Sequence, residues 1–395
     1  MQKNSTMIIL MIIMLVNALS YGIIIPLLYP YASRFGINPL GLSFLFASFS
    51  LAQLIATPII GRLSDKYGRK PLLLICLAGS SISLALLATA SNAFLFFIAR
   101  IIDGVTGGNI SVAQAVIADS TEGHERANAF GLLGAAFGFG FLVGPAIGGL
   151  LSEISLSTPF WFASALAAIG TLLGVVMLKE TLKEKNKQVE KKRNSIFDIK
   201  SISHAFTNPL TGMTLLVSFI FLIALNAWII GFQTFSNDTL KLSARDIGLM
   251  FATFGFISIV MQGFGIRILM KKIKHKKTIL VWSLLLSALT VFPITLIHSF
   301  VPFFIMVLLY GIASSPITPV ITALLSERTK AEDQGAILGI NQSITSFAQI
   351  IGPILAGLIA VYSVNLVFFV AAVIITISLV ATKWLYTPNV KPVDL

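Results

Sequence analysis

Long apolar stretches alternate with short polar loops along the whole chain. Twelve of these stretches are long enough for a helix to cross a bilayer, which takes about 20 apolar residues. They cover approximately residues 7–29, 40–60, 72–91, 94–118, 128–151, 158–178, 210–233, 245–268, 279–297, 300–324, 335–360 and 364–386. A membrane barrel would instead need short segments in which polar and apolar residues alternate. The pattern therefore predicts an all-α integral membrane protein with twelve transmembrane helices, numbered spans 1 to 12.

The positions of Lys and Arg predict how these spans are oriented. Loops on the cytoplasmic side of a membrane carry an excess of both residues. With both termini in the cytoplasm, all of the 28 Lys and Arg fall on that side except Arg34, Lys241 and Arg245, which face outward, and Arg100, which lies within span 4. We therefore expect cytoplasmic termini and a multi-pass protein of the cell membrane, most simply a bacterial cytoplasmic membrane.

Composition excludes several classes of protein. Hydrophobic residues make up 56% of the 395 residues and charged residues only 11%, which rules out a soluble enzyme, a disordered chain and a collagen-like fibre. One Cys excludes a disulfide framework, and four scattered His predict no metal site. The sequence has no enzyme signature and no G-x-x-x-x-G-K-[ST] loop, so we expect no cofactor and no use of ATP. Because the cytoplasmic loops account for the net charge of +12, we expect no nucleic-acid partner.

One long polar segment divides the chain into six spans and six spans. It predicts an N-terminal half over residues 1–178, a basic linker over 179–208 and a C-terminal half over 209–395. The linker is either a solvated segment lying on anionic lipid head groups or a binding site for a regulatory partner.

The two halves share an internal repeat. Residues 117–151 match residues 325–359 at a shift of 208, and 46–49 match 251–254 at a shift of 205. The matched pairs include Asp119 with Glu327, Gly144-Pro145 with Gly352-Pro353, and Gly149 with Gly357. The repeat predicts two pseudo-symmetric six-helix halves, an arrangement typical of transporters that work by alternating access.

The loop after span 2 has a distinctive spacing of glycines, an acid and a basic pair. Gly61 and Gly68 would permit a tight turn, Asp65 would lie near the positive N-terminus of span 3, and Arg69 and Lys70 would meet the membrane interface. A generic turn with positive charge inside is the alternative.

All ten residues of this loop fit the major facilitator superfamily signature G-x-L-[AS]-D-[RK]-x-G-[RK]-[RK], which the chain resembles here. The resemblance implies the twelve-span fold of that family. It also implies that the loop contacts the other half and acts as a conformational latch. The second half keeps only a remnant, Gly265 followed by residues 271–277, with no acid.

Span 4 contains the only ionisable residues well inside the predicted membrane zone, Arg100 and Asp103. Such residues are costly in lipid and usually functional. Their spacing of three places both on one helix face, so protonation of Asp103 would leave Arg100 unpaired and favour another conformation. A purely structural salt bridge is the alternative. The stretch is similar to the family motif R-x-x-Q-G-x-G, with Asp103 in place of Gln.

Span 5 carries small residues at a regular spacing. Gly140, Gly144 and Gly148 recur every four residues, Pro145 bends the helix, and Gly149 completes the pattern G-x-x-x-G-P-x-x-G-G. Ordinary helix packing is one explanation. The pattern also resembles the span-5 motif of proton-coupled exporters in the superfamily, and within it the twelve-span drug/proton antiporters that include the tetracycline exporters.

The chain departs from the tetracycline exporters at their membrane acids in spans 1, 3 and 9. Asn17, Ser83 and Leu286-Ser287 stand at those places, so we do not expect transport of a tetracycline–metal chelate, and Asp103 is the remaining candidate for proton coupling. The resemblance further implies a cavity lined by spans 1, 4, 7 and 10. Its polar candidates, which could equally form hydrogen bonds between helices, are Asn17, Tyr21, Asn109, Gln114, Asn226, Gln233 and Tyr310.

Together these features predict a monomeric secondary transporter whose partners are a small-molecule substrate, protons and the lipid bilayer. We expect proton-coupled export of amphipathic or hydrophobic molecules, as in multidrug efflux. The alternatives are a dedicated exporter of one metabolite such as a siderophore, lipid or sugar, a proton-coupled importer, and a membrane receptor or chaperone that does not transport.

Overall fold

The computed structural model describes residues 2–121, 123–182, 206–208, 210–273, 275–329 and 334–385, and its regular elements are helices. Twelve of them are long and apolar enough to cross a membrane, which confirms the predicted all-α architecture. Spans 1 to 6 are Met7–Phe35, Pro39–Tyr67, Arg69–Ala88, Ala93–Ser120, Asn128–Leu151 and Thr158–Met177. Spans 7 to 12 are Gly212–Thr239, Ala244–Lys272, Lys276–Leu296, Phe300–Glu327, Ile337–Ala360 and Val364–Trp384.

In each of two spans, two residues that belong to no helix separate two α-helices, whereas in span 8 the π turn Met261–Gly265 joins Ala244–Val260 to Ile266–Lys272 without a break. Span 4 consists of Ala93–Thr106 and Asn109–Ser120, and span 10 of Phe300–Ser314 and Ile317–Glu327. The break falls at Gly107 and Gly108 in span 4 and at residues 315 and 316 in span 10, which are 208 positions further on. The internal repeat therefore includes a broken helix, with adjacent glycines in one half and Ser-Pro in the other.

Further irregular turns lie at or near the ends of other spans. They are 3-10 turns at Ser33–Phe35, Phe292–Leu296 and Thr382–Trp384, and π turns at Phe235–Thr239 and Met261–Gly265.

Span 2 is longer than predicted and changes the picture of the loop that follows it. The helix runs through Gly61 to Tyr67, and span 3 begins at Arg69. Gly68 alone makes the turn, with a φ of 113° that favours glycine. The prediction that Gly61 also supports a tight turn is wrong, because the six residues after it contain neither Gly nor Pro and continue the helix.

The two halves meet at one end of the bundle. We call the end where span 1 begins and span 12 ends the termini side, and the opposite end the far side. Span 5 packs on span 8, where a Cβ added to Gly149 would lie 3.0 Å from the Arg245 carbonyl oxygen. Span 11 packs on span 2, where a Cβ on Gly357 would lie 3.1 Å from Leu40 Cα. The internal repeat relates these contacts, since the shift of 208 takes Gly149 to Gly357 and the shift of 205 takes Leu40 to Arg245.

Two polar contacts also join the halves on the far side. The Tyr29 hydroxyl donates to the Asp238 carboxylate at 2.5 Å, and Arg245 Nη1 pairs with Glu153 Oε1 at 2.6 Å. These bonds link spans 1 and 7, and spans 5 and 8, where each approaches the far-side surface. They would have to break before this side could open.

Towards the termini side, spans 5 and 8 separate. At mid-span a Cβ on Gly138 would lie 3.8 Å from Ile259 Cγ1. One turn closer to the termini side, Gly134 has no neighbour within 4 Å, and neither has Gly263, one turn beyond Ile259. Gly134 and Gly138 share one face of span 5, and Ile259 and Gly263 share one face of span 8, because residues four apart lie on the same side of a helix. The contact between the two spans therefore ends one turn beyond Gly138 and Ile259. The structure is closed on the far side and open between these spans on the termini side.

The predicted linker lies largely outside the described residues, since 183–205 are not among them. The boundaries 1–178, 179–208 and 209–395 therefore stay a prediction. The first linker residues are described, and Glu180 lies against the start of span 3.

Candidate functional site: a buried ion pair and a charged loop

Span 4 buries an ion pair near the middle of the bundle. Arg100 is 1% exposed and Asp103 is 7% exposed, and Arg100 Nη1 lies 2.7 Å from Asp103 Oδ2. The pair sits one turn before the break at Gly107, whose N–H donates to the Asp103 carbonyl oxygen. Removing two charges from water is expensive, so a buried pair is weak support for stability and a frequent mark of function.

Two aromatic rings lie against the Arg100 side chain of this ion pair. Arg100 Cζ lies 4.1 Å from the ring centre of Phe49 and 5.9 Å from that of Phe46, both on span 2. Cations over an aromatic face are attracted by its quadrupole, the more so when water is absent. The Phe49 ring is in turn 5.7 Å from Tyr21 on span 1. Sequence reasoning missed Phe49, because 30 Phe in one chain give no reason to select one.

The glycine face of span 5 packs against span 1 of the same half. Gly140 lies against Ala18, and a Cβ on Gly144 would lie 2.9 Å from Gly22 Cα. A Cβ on Gly148 would lie 3.2 Å from Ile23 Cγ2.

The next face of span 5 packs against the other half. Pro145 and Gly149 approach Gly248 of span 8, whose added Cβ would lie 2.6 Å from the Pro145 carbonyl oxygen. One helix thus fixes the interior of its own half and forms the boundary with the other, so the spacing of its small residues serves two contacts.

Arg69 is the centre of the charged loop between spans 2 and 3. Its Nη1 lies 2.5 Å from Asp65 Oδ1 and donates to Ser64 Oγ at 2.7 Å, while its Nε lies 2.9 Å from Asp119 Oδ2 at the end of span 4. These partners belong to the first half. The resemblance implied that this loop contacts the other half. None of these bonds of Arg69 reaches the second half, and spans 5 and 8 are separated on this side of the molecule.

Glu180 at the start of the linker holds the N-terminus of span 3. Its carboxylate accepts the N–H groups of Arg69 and Lys70 at 3.0 and 3.1 Å, and also those of Thr181 and Leu182. Burial alone would raise the pKa of Glu180, but these four donors stabilise the carboxylate and hold its pKa below the ordinary value.

Asp65 lies close to the start of span 3, as predicted, but it pairs with the side chain of Arg69, while Glu180 accepts the N–H groups of the helix N-terminus. Asp65 itself is in the last turn of span 2, four residues before Arg69. The sequence did not reveal Glu180, because the two helix ends meet only in the folded chain.

The second half has its own charged contact at the corresponding place. Lys276, at the start of span 9, pairs with Glu327, the repeat equivalent of Asp119. The loop itself lacks the acid that Asp65 supplies in the first half, as its sequence indicated, so the two halves are related in geometry but not in charge.

The seven polar cavity candidates differ in burial. Asn17, Tyr21 and Asn226 are half-buried, Gln114 is exposed, and Asn109, Gln233 and Tyr310 are buried. Asn226 Nδ2 donates to the Leu222 carbonyl oxygen of its own helix at 2.8 Å, a local bond rather than one between helices. The side-chain polar atoms of Asn109, Gln233 and Tyr310 are buried without a hydrogen-bond partner among the described residues.

An aromatic cluster around Trp228 was not predicted. Its ring centre is 4.7 Å from that of Tyr310, 5.2 Å from Phe254 and 5.4 Å from Phe232. The indole N–H is buried without a partner among the described residues. Trp228 is the only Trp in spans 1, 4, 7 and 10, a signal that could have identified it.

The exposed Asp65 offers a test of the loop. We expect Asp65→Asn to reduce transport strongly while the protein still folds, because its side chain is 45% exposed and such a pair contributes about 0–1 kcal/mol. Transport into vesicles and thermal stability in detergent are to be measured together. Asp246→Asn, an exposed acid on the far side, is the control. Normal transport by Asp65→Asn would show that its charge serves no latch.

Comparison with known proteins places the chain among membrane transporters. The family model described as Major Facilitator Superfamily matches residues 10–264 and 231–394. The chain is 31% identical to the class E tetracycline resistance protein of Escherichia coli over 361 residues, 89% of this chain and 87% of that protein. It is 28% identical to multidrug resistance protein 2 of Bacillus subtilis (strain 168) over 383 residues, 96% and 94% of the two chains.

Solved structures share the fold at low sequence identity. The nucleoside transporter NupG, as a variant, superposes with a TM-score of 0.80 and 14% identity, covering 97% of this chain and all of the other. The human organic anion transporter MFSD10 (TETRAN) gives a TM-score of 0.69 and 21% identity, covering 96% and 99%. With twelve spans, two related halves and a family match over nearly its full length, this chain belongs to the major facilitator superfamily and is a multi-pass transporter of the cell membrane, not an enzyme.

Proposed function

We propose that the protein exports small amphipathic or hydrophobic molecules in exchange for protons, by alternating access to a central cavity. In this proposal it acts as a monomer in the cytoplasmic membrane, with both termini inside. The observation that carries the proposal is the Arg100–Asp103 pair, buried within span 4 at 2.7 Å. Asp103 is the only acidic side chain that the described residues bury.

The pair provides a way for a proton to change the conformation. When Asp103 is ionised, it balances the buried charge of Arg100. When Asp103 takes up a proton, Arg100 loses its counter-charge, and any conformation that gives the guanidinium other partners or water becomes favoured. A proton that binds with one side open and leaves with the other open can then drive the cycle.

Two features support export of drug-like molecules. The glycine pattern of span 5 resembles that of proton-coupled exporters, and the relatives named above are tetracycline and multidrug resistance proteins. Asn17 and Ser83 stand where the resemblance to tetracycline exporters implies acids. This supports a multidrug substrate range rather than a metal chelate of tetracycline.

The test uses purified protein in liposomes with an imposed pH gradient and the membrane potential clamped by K⁺ and valinomycin. We expect ethidium, a permanently charged amphipathic cation, to accumulate in vesicles with an acidic lumen. An antiporter moves its substrate towards the acidic side whichever way the protein is inserted, so mixed orientation does not matter. Protein-free liposomes give the background.

The sign of accumulation separates the competing functions. Accumulation towards an alkaline lumen would identify a proton symporter and overturn the proposal. A parallel panel of siderophores, lipids and sugars is measured in the same vesicles. Movement of one metabolite alone, with ethidium and other dyes excluded, would identify a dedicated exporter. If no compound moves under either gradient, the proposed proton-coupled export fails.

A further inference from the structure

Three aromatic rings connect the buried ion pair to the boundary between the halves. Phe49 lies under Arg100, Tyr21 is 5.7 Å from Phe49, and Phe141 is a further 5.7 Å from Tyr21. We call Tyr21, Phe49 and Phe141 the aromatic seal. Its members come from spans 1, 2 and 5, so it crosses the first half from the ion pair to the contact with span 8.

The two ends of the aromatic seal differ in exposure. Phe49, at one end, is buried, with 3% of its surface exposed, whereas Phe141, at the other end, is half-buried, as is Tyr21 between them. Tyr21 and Phe141 both pack against the apolar core of the second half. Phe141 also lies at the helix boundary, since a Cβ on Gly255 of span 8 would be 2.8 Å from its carbonyl oxygen. The outer rings therefore meet the part of the molecule that must move.

Few polar side chains lie beside the ion pair among the described residues. Besides Arg100, the titratable side chain beside Asp103 is Tyr21, and the Ser83 hydroxyl is its polar neighbour from span 3. Span 2 contributes the rings of Phe46 and Phe49 above Arg100. Aromatic side chains from spans 1 and 2 therefore border the ion pair, with Tyr21 beside Asp103 and Phe46 and Phe49 against Arg100.

We propose that the aromatic seal keeps water from Asp103 until substrate displaces Tyr21, so that a proton leaves the carboxyl group only when substrate is bound. Substrate in the space beside Tyr21 would move its ring, release Phe49 from the guanidinium and open a water path to Asp103. The carboxyl proton would then pass to that water. Phe49 and Phe141 are positioning residues in this step, and the inference rests on the proposed proton exchange.

The test measures proton leak without any substrate, in liposomes loaded with the pH dye pyranine and driven by a K⁺ diffusion potential. Phe49→Leu keeps an apolar side chain and removes the ring. The loss of its contacts with Tyr21 and Arg100 would raise the unsealed fraction, and with it the leak, by about tenfold. Phe44→Leu is the matched control, because Phe44 is on the same helix and 43% exposed away from the pair.

A double variant separates sealing from general damage. We expect Phe49→Leu/Asp103→Asn to return the leak to the wild-type level, because the leaking proton passes through Asp103. A leak that persists in the double variant takes another route and overturns the proposal. The proposal is also overturned if Phe49→Leu and a second variant, Phe141→Leu, both leak no more than the wild type.

The outcome is distinguishable from failure of the proposed function. If Asp103→Asn abolishes gradient-driven accumulation while neither Phe49→Leu nor Phe141→Leu leaks more than the wild type, the aromatic seal is packing alone and the proton exchange stands. If Asp103→Asn accumulates substrate as the wild type does, proton coupling lies elsewhere and both proposals fall.

Discussion

Asp103→Asn is expected to abolish gradient-driven accumulation of substrate while leaving downhill exchange near the wild-type rate. The amide cannot bind and release a proton between the two states, but it fills the same volume beside Arg100 and can still accept a hydrogen bond from it. Ethidium should therefore equilibrate across the vesicle membrane without concentrating. Counterflow and pH-driven uptake, measured on one preparation, give both rates, and Asp246→Asn is the matched carboxylate-to-amide control.

Arg100→Ala is expected to abolish both gradient-driven accumulation and downhill exchange of substrate, and to destabilise the protein. It leaves the Asp103 carboxylate buried without its partner, a change that costs about 3–5 kcal/mol. Thermal unfolding in detergent should show a clear loss for this variant and a much smaller one for Asp103→Asn.

A double replacement separates a structural pair from a functional one. Arg100→Met/Asp103→Leu removes both charges and fills their space with apolar groups, which often restores or exceeds the original stability. We expect a stable protein that cannot accumulate substrate. If the double variant transports against the gradient, the pair is a structural salt bridge.

The number of spans could be predicted because a membrane imposes one length and one polarity on every crossing helix. Hydropathy alone located all twelve, and the repeat at a shift of 208 indicated two related halves. The ends of the spans could be predicted less well. Span 2 continues seven residues beyond its predicted end at residue 60, because helix formation does not stop where hydropathy falls. The breaks in spans 4 and 10 were not predicted, since Gly107-Gly108 and Ser315-Pro316 do not resemble each other in sequence.

The candidate site was predictable where a residue was chemically unusual for its surroundings. Arg100 and Asp103 stood out as charges in an apolar helix, and their spacing of three gave their contact. Phe49 and Glu180 did not stand out, because phenylalanine is common in this chain and acids are common beside a linker. Their roles depend on which helices lie side by side, and a single sequence does not contain that information directly.

Substitution of the glycines of span 5 is expected to destabilise the protein, by an amount that differs sharply from one glycine to another. A Cβ on Gly144 would lie 2.9 Å from both the Cα and the carbonyl carbon of Gly22 and from the Leu19 carbonyl oxygen. All three are backbone atoms of span 1, which can yield only if the whole helix moves. Overpacking of this kind costs about 1–3 kcal/mol. We expect Gly144→Ala to be clearly destabilised and Gly144→Leu to yield no folded protein.

Two neighbouring glycines on span 5 are the matched controls for Gly144. At Gly148 the closest atom to an added Cβ is Leu27 Cδ1 at 2.8 Å, the end of a flexible side chain, whereas Gly134 has no neighbour within 4 Å. Thermal unfolding of the three Ala variants in detergent should therefore rank Gly134→Ala most stable, Gly148→Ala next and Gly144→Ala least, with transport in vesicles following the same order. Equal stability of Gly144→Ala and Gly134→Ala would mean that spans 1 and 5 are not in close contact, and the span-5 pattern would then lose its structural basis.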